Sequence, residues 1–225
     1  MKGRFYEFKS SLDFCKLLEL IKIYEFDEAA EESMGFLINE FSGNLIAATF
    51  YEKWSVSEEI TLPSNAKIEQ KISLLRKIDF EIDRQFFPSM FIYNPPRSLV
   101  SLFSAIASAL NFECTIEPLT VDVKATINRL KETVDKLELN SVECSGLRYN
   151  NNIVAKVILK SNNDITDFFS KSEYSKGIID IASMRLFYLG GWVDLDLSKG
   201  GSIKIGKNKD ELRRFVVSSL KYSAT

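Results

Sequence analysis

No histidine occurs among the 225 residues. Histidine alone has an unperturbed pKa close to neutrality, and it is the commonest metal ligand. Its absence excludes Ser-His-Asp and Cys-His catalysis, imidazole proton relays and His-metal sites together. Only three cysteines occur, Cys15, Cys114 and Cys144. Their wide spacing and odd number exclude a disulfide framework and a cysteine metal cluster, which leaves each as a small buried hydrophobe in a reducing compartment. Ten glycines and five prolines are too few for a Gly- or Pro-rich linker, so no domain boundary announces itself. The apolar runs Leu99–Leu110 and Ile153–Leu159 are interrupted by Ser or Lys and too short to span a bilayer. Met1–Phe8 lacks an apolar signal-peptide core. These absences suit a cytoplasmic protein with no membrane contact.

What remains is ordinary globular material, with 45% hydrophobic and 27% charged residues. The net charge of −2 conceals an asymmetry. Residues 151–225 carry 12 Lys and Arg against 8 Asp and Glu, whereas residues 1–150 carry 17 against 23. A basic end on an acidic body suits an anionic partner there. The acidic maximum, Glu25–Glu32, reads as the solvated first turn of a helix.

Periodicity supplies the elements. Arg4–Phe8 reads as a strand, and Ser10 or Ser11 caps a helix through Leu17, Leu18 and Ile21. Ala30, Met34, Leu37, Ile38 and Phe41 have helical spacing over Asp27–Phe41, which Ser42-Gly43-Asn44 would end. Leu45–Trp54 and Glu59–Leu62 read as strands, with a turn at Pro63-Ser64-Asn65 and a helix over Ala66–Lys77. Ile78–Asp83 alternates as a half-buried strand with Asp79, Glu81 and Asp83 as an exposed charged edge. Met90–Tyr93 is a strand, and Arg97–Leu110 a helix whose first turn holds Arg97. Phe112–Ile116 is a further strand. From Thr120, the residues Val123, Ile127, Leu130, Val134 and Leu137 form an a/d seam of about two heptads. That seam predicts a helix packed on a sheet, and it is the candidate contact for a partner helix.

From Asn140 the pattern becomes β. Val142–Tyr149 and Ile153–Lys160 flank Asn150-Asn151-Asn152, a hairpin signal. Asp164–Lys171 is a short helix. Met184–Leu189, Trp192–Leu197 and Ser202–Ile205 form a meander through Gly190-Gly191 and Ser198–Gly201. Asn208 and Glu211 make a capping box for a last helix with Leu212, Phe215, Val216 and Leu220 on its apolar face.

This C-terminal order, carried by Asn152–Leu159, Asp164–Phe169, Glu173-Tyr174 and Lys199–Lys207, resembles one repeat of the TATA-binding-protein fold over about residues 150–222. The outline of Asn44–Phe112, with Phe86-Phe87-Pro88-Ser89, is similar. The resemblance implies a curved antiparallel sheet with helices on one face and an open face that binds nucleic acid or other partners. The element order of the whole chain reads as an α+β protein, divided at 1–118 and 119–225 or continuous across both.

Strand alternation puts Val193, Leu195 and Leu197 toward the core, and Trp192, Asp194 and Asp196 on the opposite face with Lys204. Lys156 and Lys160 can join them. An aromatic among cations suits stacking and phosphate contact, so Trp192, Lys204, Lys156 and Arg185 are the candidate nucleic-acid contacts. The two aspartates depart from the apolar DNA-binding face of the resembled family. Asp194, Asp196 and Lys204 are also the residual catalytic candidates, because two carboxylates on one strand can share Mg²⁺ for phosphodiester chemistry without histidine. Cross-strand pairing with Lys204 is the simpler reading. No phosphate loop or dinucleotide fingerprint occurs. The sequence therefore predicts a non-enzymatic interaction subunit of an intracellular complex with no cofactor, binding a protein partner, and nucleic acid alongside it, through the C-terminal sheet. A sequence-tolerant nucleic-acid-binding protein and a metal-dependent nuclease or phosphodiesterase are the alternatives.

Overall fold

The structure is a computed structural model that describes residues 1–61, 63, 67–84, 90–150, 153–206 and 210–220. The expected Pro63–Asn65 turn, the Phe86–Ser89 stretch, the tip of the Asn150–Asn152 hairpin and the Asn208 cap lie wholly or mostly outside those residues. The chain is α+β, built from antiparallel strands and helices. It divides into two compact units. One comprises Phe8–Gln85 and Ser89–Ile116, and the other Met1–Glu7 and Glu117–Thr225. The first strand, β1 (Lys2–Ser10), contributes to both. No helix among the described residues is long and apolar enough to cross a membrane.

In the first unit, Asp13 caps helix α1 (Phe14–Ile23) by accepting from the backbone N–H groups of Cys15 and Lys16 at 2.9 and 3.0 Å. Its buried face is Phe14, Leu17, Leu18 and Ile21, while Cys15 is exposed rather than buried. Strands β2 (Ser33–Ser42), β3 (Leu45–Thr61), β4 (Lys67–Asp83) and β5 (Met90–Tyr93) pair antiparallel in that order. Helix α2 (Val100–Ala109) follows, and strand β6 (Cys114–Pro118) begins in this unit and ends in the other. Arg97 lies ahead of α2, not within its first turn. The core gathers Phe36, Phe50 and Phe80, with Phe36 centred 5.5 Å from Phe50 and 5.9 Å from Phe80.

Two expected helices are strands. Residues 33–42 pair with β3, and Ser42↔Leu45 closes a two-residue Gly43-Asn44 turn, a hairpin linker and not a helix stop. The helical spacing misled because Met34, Leu37 and Phe41 are exposed, so they mark no core face. The acidic segment is accordingly irregular. Lys53 Nζ donates to the Glu28 and Ala30 carbonyls, and Lys71 pairs with Glu31 at 2.7 Å. Residues 67–77 are mostly good helix formers, yet every one opposes a residue of β3. Tertiary pairing overrides the local preference. β4 also lies between β3 and β5, so Asp79, Glu81 and Asp83 are half-buried and not an exposed edge. Thr49 Oγ1 donates to Asp79 at 2.7 Å and Tyr93 OH to Glu81.

The β3–β4 hairpin runs well past its buried base. Phe50, Ile78 and Phe80 are buried there, but Val56, Ile60, Ile68, Ile72 and Leu74, further along the same face, are exposed. Arg76 stacks 5.3 Å over Trp54 and bonds Glu52 at 2.9 Å.

The second unit contains helix α3 (Val123–Thr133), capped by Asp122 on Ala125 N at 2.9 Å. Strands β7 (Lys136–Asn150) and β8 (Ile153–Lys160) follow, then α4 (Thr166–Lys171) and a 3₁₀ turn over Glu173–Lys176. Strands β9 (Ile178–Tyr188), β10 (Gly191–Ser198) and β11 (Ser202–Ile205) precede helix α5 (Asp210–Ser219). The strand order is β1-β11-β10-β9-β7-β8. Leu139, Val142, Met184, Leu186, Val193, Leu195, Leu197, Ile203 and Ile205 form the core, joined by Ile127 and Leu130 of α3 and Leu212 and Val216 of α5.

Two local devices have measurable consequences. Asp164 Oδ1 accepts from Leu139 N, Thr166 N and Thr166 Oγ1 at 2.9, 2.9 and 2.6 Å, tying α4 to β7. Burial alone would raise its pKa, but these bonds and Lys131 outweigh burial and hold it below the ordinary carboxylate value. A depressed folded-state pKa contributes stability above the unfolded value that is lost as pH falls through the folded one. Asp164→Ala is expected to cost about 1 kcal/mol near neutral pH. Denaturant midpoints should show that difference shrinking below about pH 4, and a pH-independent difference contradicts the reading. The β9–β10 turn places exposed Leu189 at φ +48° beside Gly190 at +75°. Leu189→Asn is expected to raise stability by about 0.5–1 kcal/mol, because asparagine tolerates this region better than leucine. A lowered melting temperature would refute that.

Candidate functional site

Alternation along each strand divides the second unit's sheet into a core face and an open one. The register carries the open face across the strands. Lys136, Phe187 and Trp192 form one row, and Glu138, Arg185 and Asp194 the next. Lys160, Ser141, Ser183, Asp196, Lys204 and Lys2 form a third. Ile158, Glu143, Ile181 and Ser198 form a fourth.

All four nucleic-acid candidates, Trp192, Lys204, Lys156 and Arg185, lie on this face, as do Asp194 and Asp196. Arg185 is its electrostatic centre. Its guanidinium lies 3.7 Å from Glu138, 3.6 Å from Asp194 and 4.9 Å above the Trp192 ring. Phe187 meets Trp192 edge-on at 5.6 Å. Lys156 is bonded to Glu143, and that hydrogen bond with the attendant charge attraction raises the lysine pKa. Lys204 stands opposite Asp196 in register.

This arrangement bears on the enzymatic alternative. Asp194 is engaged by Arg185, and its backbone carbonyl accepts from Gly206 N at 2.9 Å. Among the described residues, no group of three or more Asp, Glu or Cys side chains is arranged to hold a metal ion. Chemically the face offers paired charges and rings suited to binding.

The α3 seam lies elsewhere. Val123, Ile127 and Leu130 are buried in the unit's own core. The helix ends at Thr133, and Val134 N closes it on Leu130 O at 3.0 Å. Val134 is half-buried, and Leu137 lies on β7 opposite Leu186. The heptad spacing therefore runs across a helix end into a strand.

Sequence reasoning missed four open-face residues, Val154, Ile158, Ile178 and Ile181. They are 67%, 64%, 51% and 41% exposed and flank Glu143 and Lys156. The available signal was the β8 run itself. Val154 and Ile158 alternate with Ala155, Val157 and Leu159, so the strand is apolar on both faces.

Compared with known proteins, the chain matches no protein-family model and no curated sequence. Geometry therefore carries the functional reading.

Proposed function

We propose that this chain is a binding protein without a reaction of its own, and that the open sheet face of its second unit contacts a protein partner. The observation that carries this is the composition of that face. Four exposed apolar side chains lie beside cations already matched by carboxylates, Arg185 with Glu138 and Asp194, and Lys156 with Glu143. A nucleic-acid backbone calls for unmatched cations, and those of this face, Lys2, Lys136, Lys160 and Lys204, belong to the second reading below. A protein surface calls for an apolar patch rimmed by paired charges. The resemblance of residues 150–222 to a TATA-binding-protein repeat supports the same face, since that family binds through the open side of a helix-backed sheet. The Arg185–Trp192–Phe187 cluster favours single-stranded nucleic acid as a second reading, because aromatic rings stack bases.

Affinity capture from the native host separates the two. Nuclease treatment should leave the captured partner in place, and Ile158→Asp with Ile181→Asp should release it. A partner released by nuclease, or retained by the double variant, overturns the proposal.

A further inference from the structure

Strand β7 carries a bulge near its distal end. The pairing with β8 passes from Cys144↔Val157 to Leu147↔Ala155, and Gly146 sits at φ +70°. The 3₁₀ turn Glu173–Lys176 is held against this bulge. A Cβ on Gly177 would lie 2.9 Å from Leu147 Cδ2 and 3.0 Å from the Ser145 carbonyl oxygen, so a larger residue would have to push Leu147 and the bulge away. Lys124 Nζ donates to Ser175 O at 2.9 Å, and Gly177 N to Tyr174 O at 3.1 Å. Between bulge and turn lies a cavity of about 320 Å³, lined by Gly146, Leu147, Arg148, Glu173, Tyr174 and Lys176. That volume is at the lower end of the small-ligand range, about 300–1,000 Å³.

The lining is chemically selective. Arg148 and Lys176 both border the cavity, and neither has an ion-pair partner among the described residues. Arg185 and Lys156, by contrast, are matched within the protein. The cavity therefore presents two cations that no carboxylate of the described residues pairs. A guanidinium and an ammonium suit a phosphate. Half-buried Tyr174 offers a ring for a planar group, and Leu147 adds an apolar wall. Glu173, ionised, only accepts hydrogen bonds, so it selects a ligand with hydroxyl or amino donors. A plain anion would leave Tyr174 and Glu173 unused, and an uncharged ring would leave both cations unused.

We infer that this cavity binds a nucleoside monophosphate, either free or as one unit of a single strand. Phosphate meets Arg148 and Lys176, the base stacks on Tyr174, and the sugar hydroxyls donate to Glu173. The inference does not depend on the partner assigned to the open sheet face.

Isothermal titration of the full chain tests it, with AMP, GMP, CMP and UMP, with adenosine and inorganic phosphate, and with a short single-stranded oligoadenylate. At least one monophosphate should bind saturably, and adenosine and phosphate should each bind about tenfold more weakly or worse. Arg148→Ala with Lys176→Ala should weaken monophosphate binding by about tenfold or more. Tyr174→Leu should weaken monophosphate but not inorganic phosphate. Should the double variant melt abnormally, Lys176→Glu on its exposed turn replaces it. Tighter binding of the oligonucleotide, competed by monophosphate, identifies a strand as the source, and equal or weaker binding identifies the free nucleotide. Trp192→Ala on the sheet face should leave the monophosphate, adenosine and phosphate titrations unchanged, which separates this site from that one. Phosphate binding as tightly as any monophosphate overturns the inference. So does the absence of saturable binding up to about 5 mM, or an unaffected cation variant.

Discussion

Gly35→Ala is expected to destabilise the first unit by about 3 kcal/mol or more. The added Cβ would lie 2.6 Å from Phe26 N and 2.7 Å from both Glu25 C and Tyr24 O. All three are backbone atoms, so no side chain can swing aside. They belong to a segment bonded to β2 on both sides of the contact. Phe36 N donates to Tyr24 O at 2.7 Å, and Phe26 N to Phe36 O at 3.3 Å, giving a parallel bridge between Glu25 and Phe36. Relieving the clash breaks that bridge. It also shifts Phe36, which is 2% exposed and packs on Phe50 and Phe80. The matched control is Gly43→Ala, where an added Cβ meets nothing within 4 Å, and a change within about 0.5 kcal/mol is expected. Denaturant unfolding of both variants checks this, and equal stabilities would refute the close-approach account.

Ile158→Asp combined with Ile181→Asp is expected to weaken partner binding by about thirtyfold, roughly 2 kcal/mol, with little change in folding. Both residues oppose Glu143 from its two neighbouring strands and share its face. The double substitution therefore puts three carboxylates in one row where two apolar groups flanked one paired carboxylate. Their mutual repulsion and the cost of desolvating them on contact both oppose binding. Because Ile158 and Ile181 are exposed, the fold loses little core. Titration of the purified partner measures the effect, and equal affinity for wild type and variant would show that the face is not the contact.

The second unit was largely legible in the sequence, and the first was not. Strict alternation marked Val193, Leu195 and Leu197 as core and Trp192, Asp194 and Asp196 as the opposite face. Glycines marked the β9–β10 and β10–β11 turns, with Gly190 and Gly201 at positive φ. In the first unit the signals conflicted. Exposed Met34, Leu37 and Phe41 gave β2 a helical spacing, and the Lys, Glu, Gln and Leu content of β4 favoured a helix that its pairing with β3 overrides. Gly35, interrupting an apparent helix, was the available warning. The site divided the same way. Arg185 and Trp192 stood out by residue type, but the patch of Val154, Ile158, Ile178 and Ile181 depends on which strands are neighbours. β7 lies between β8 and β9, and no local spacing encodes that order. The missing histidines removed imidazole chemistry from consideration, and the salt-bridged Arg185 gives the sheet face an organisation suited to contact.

Site-specific photo-crosslinking tests the central claim most directly. A photoreactive residue replaces Ile181 on the open sheet face or, as a control, Lys16 on α1, and each chain is irradiated in the native host. The account predicts a protein adduct from position 181 that survives nuclease and is absent from position 16. No adduct at 181, the same adduct from both positions, or one that nuclease removes would contradict it.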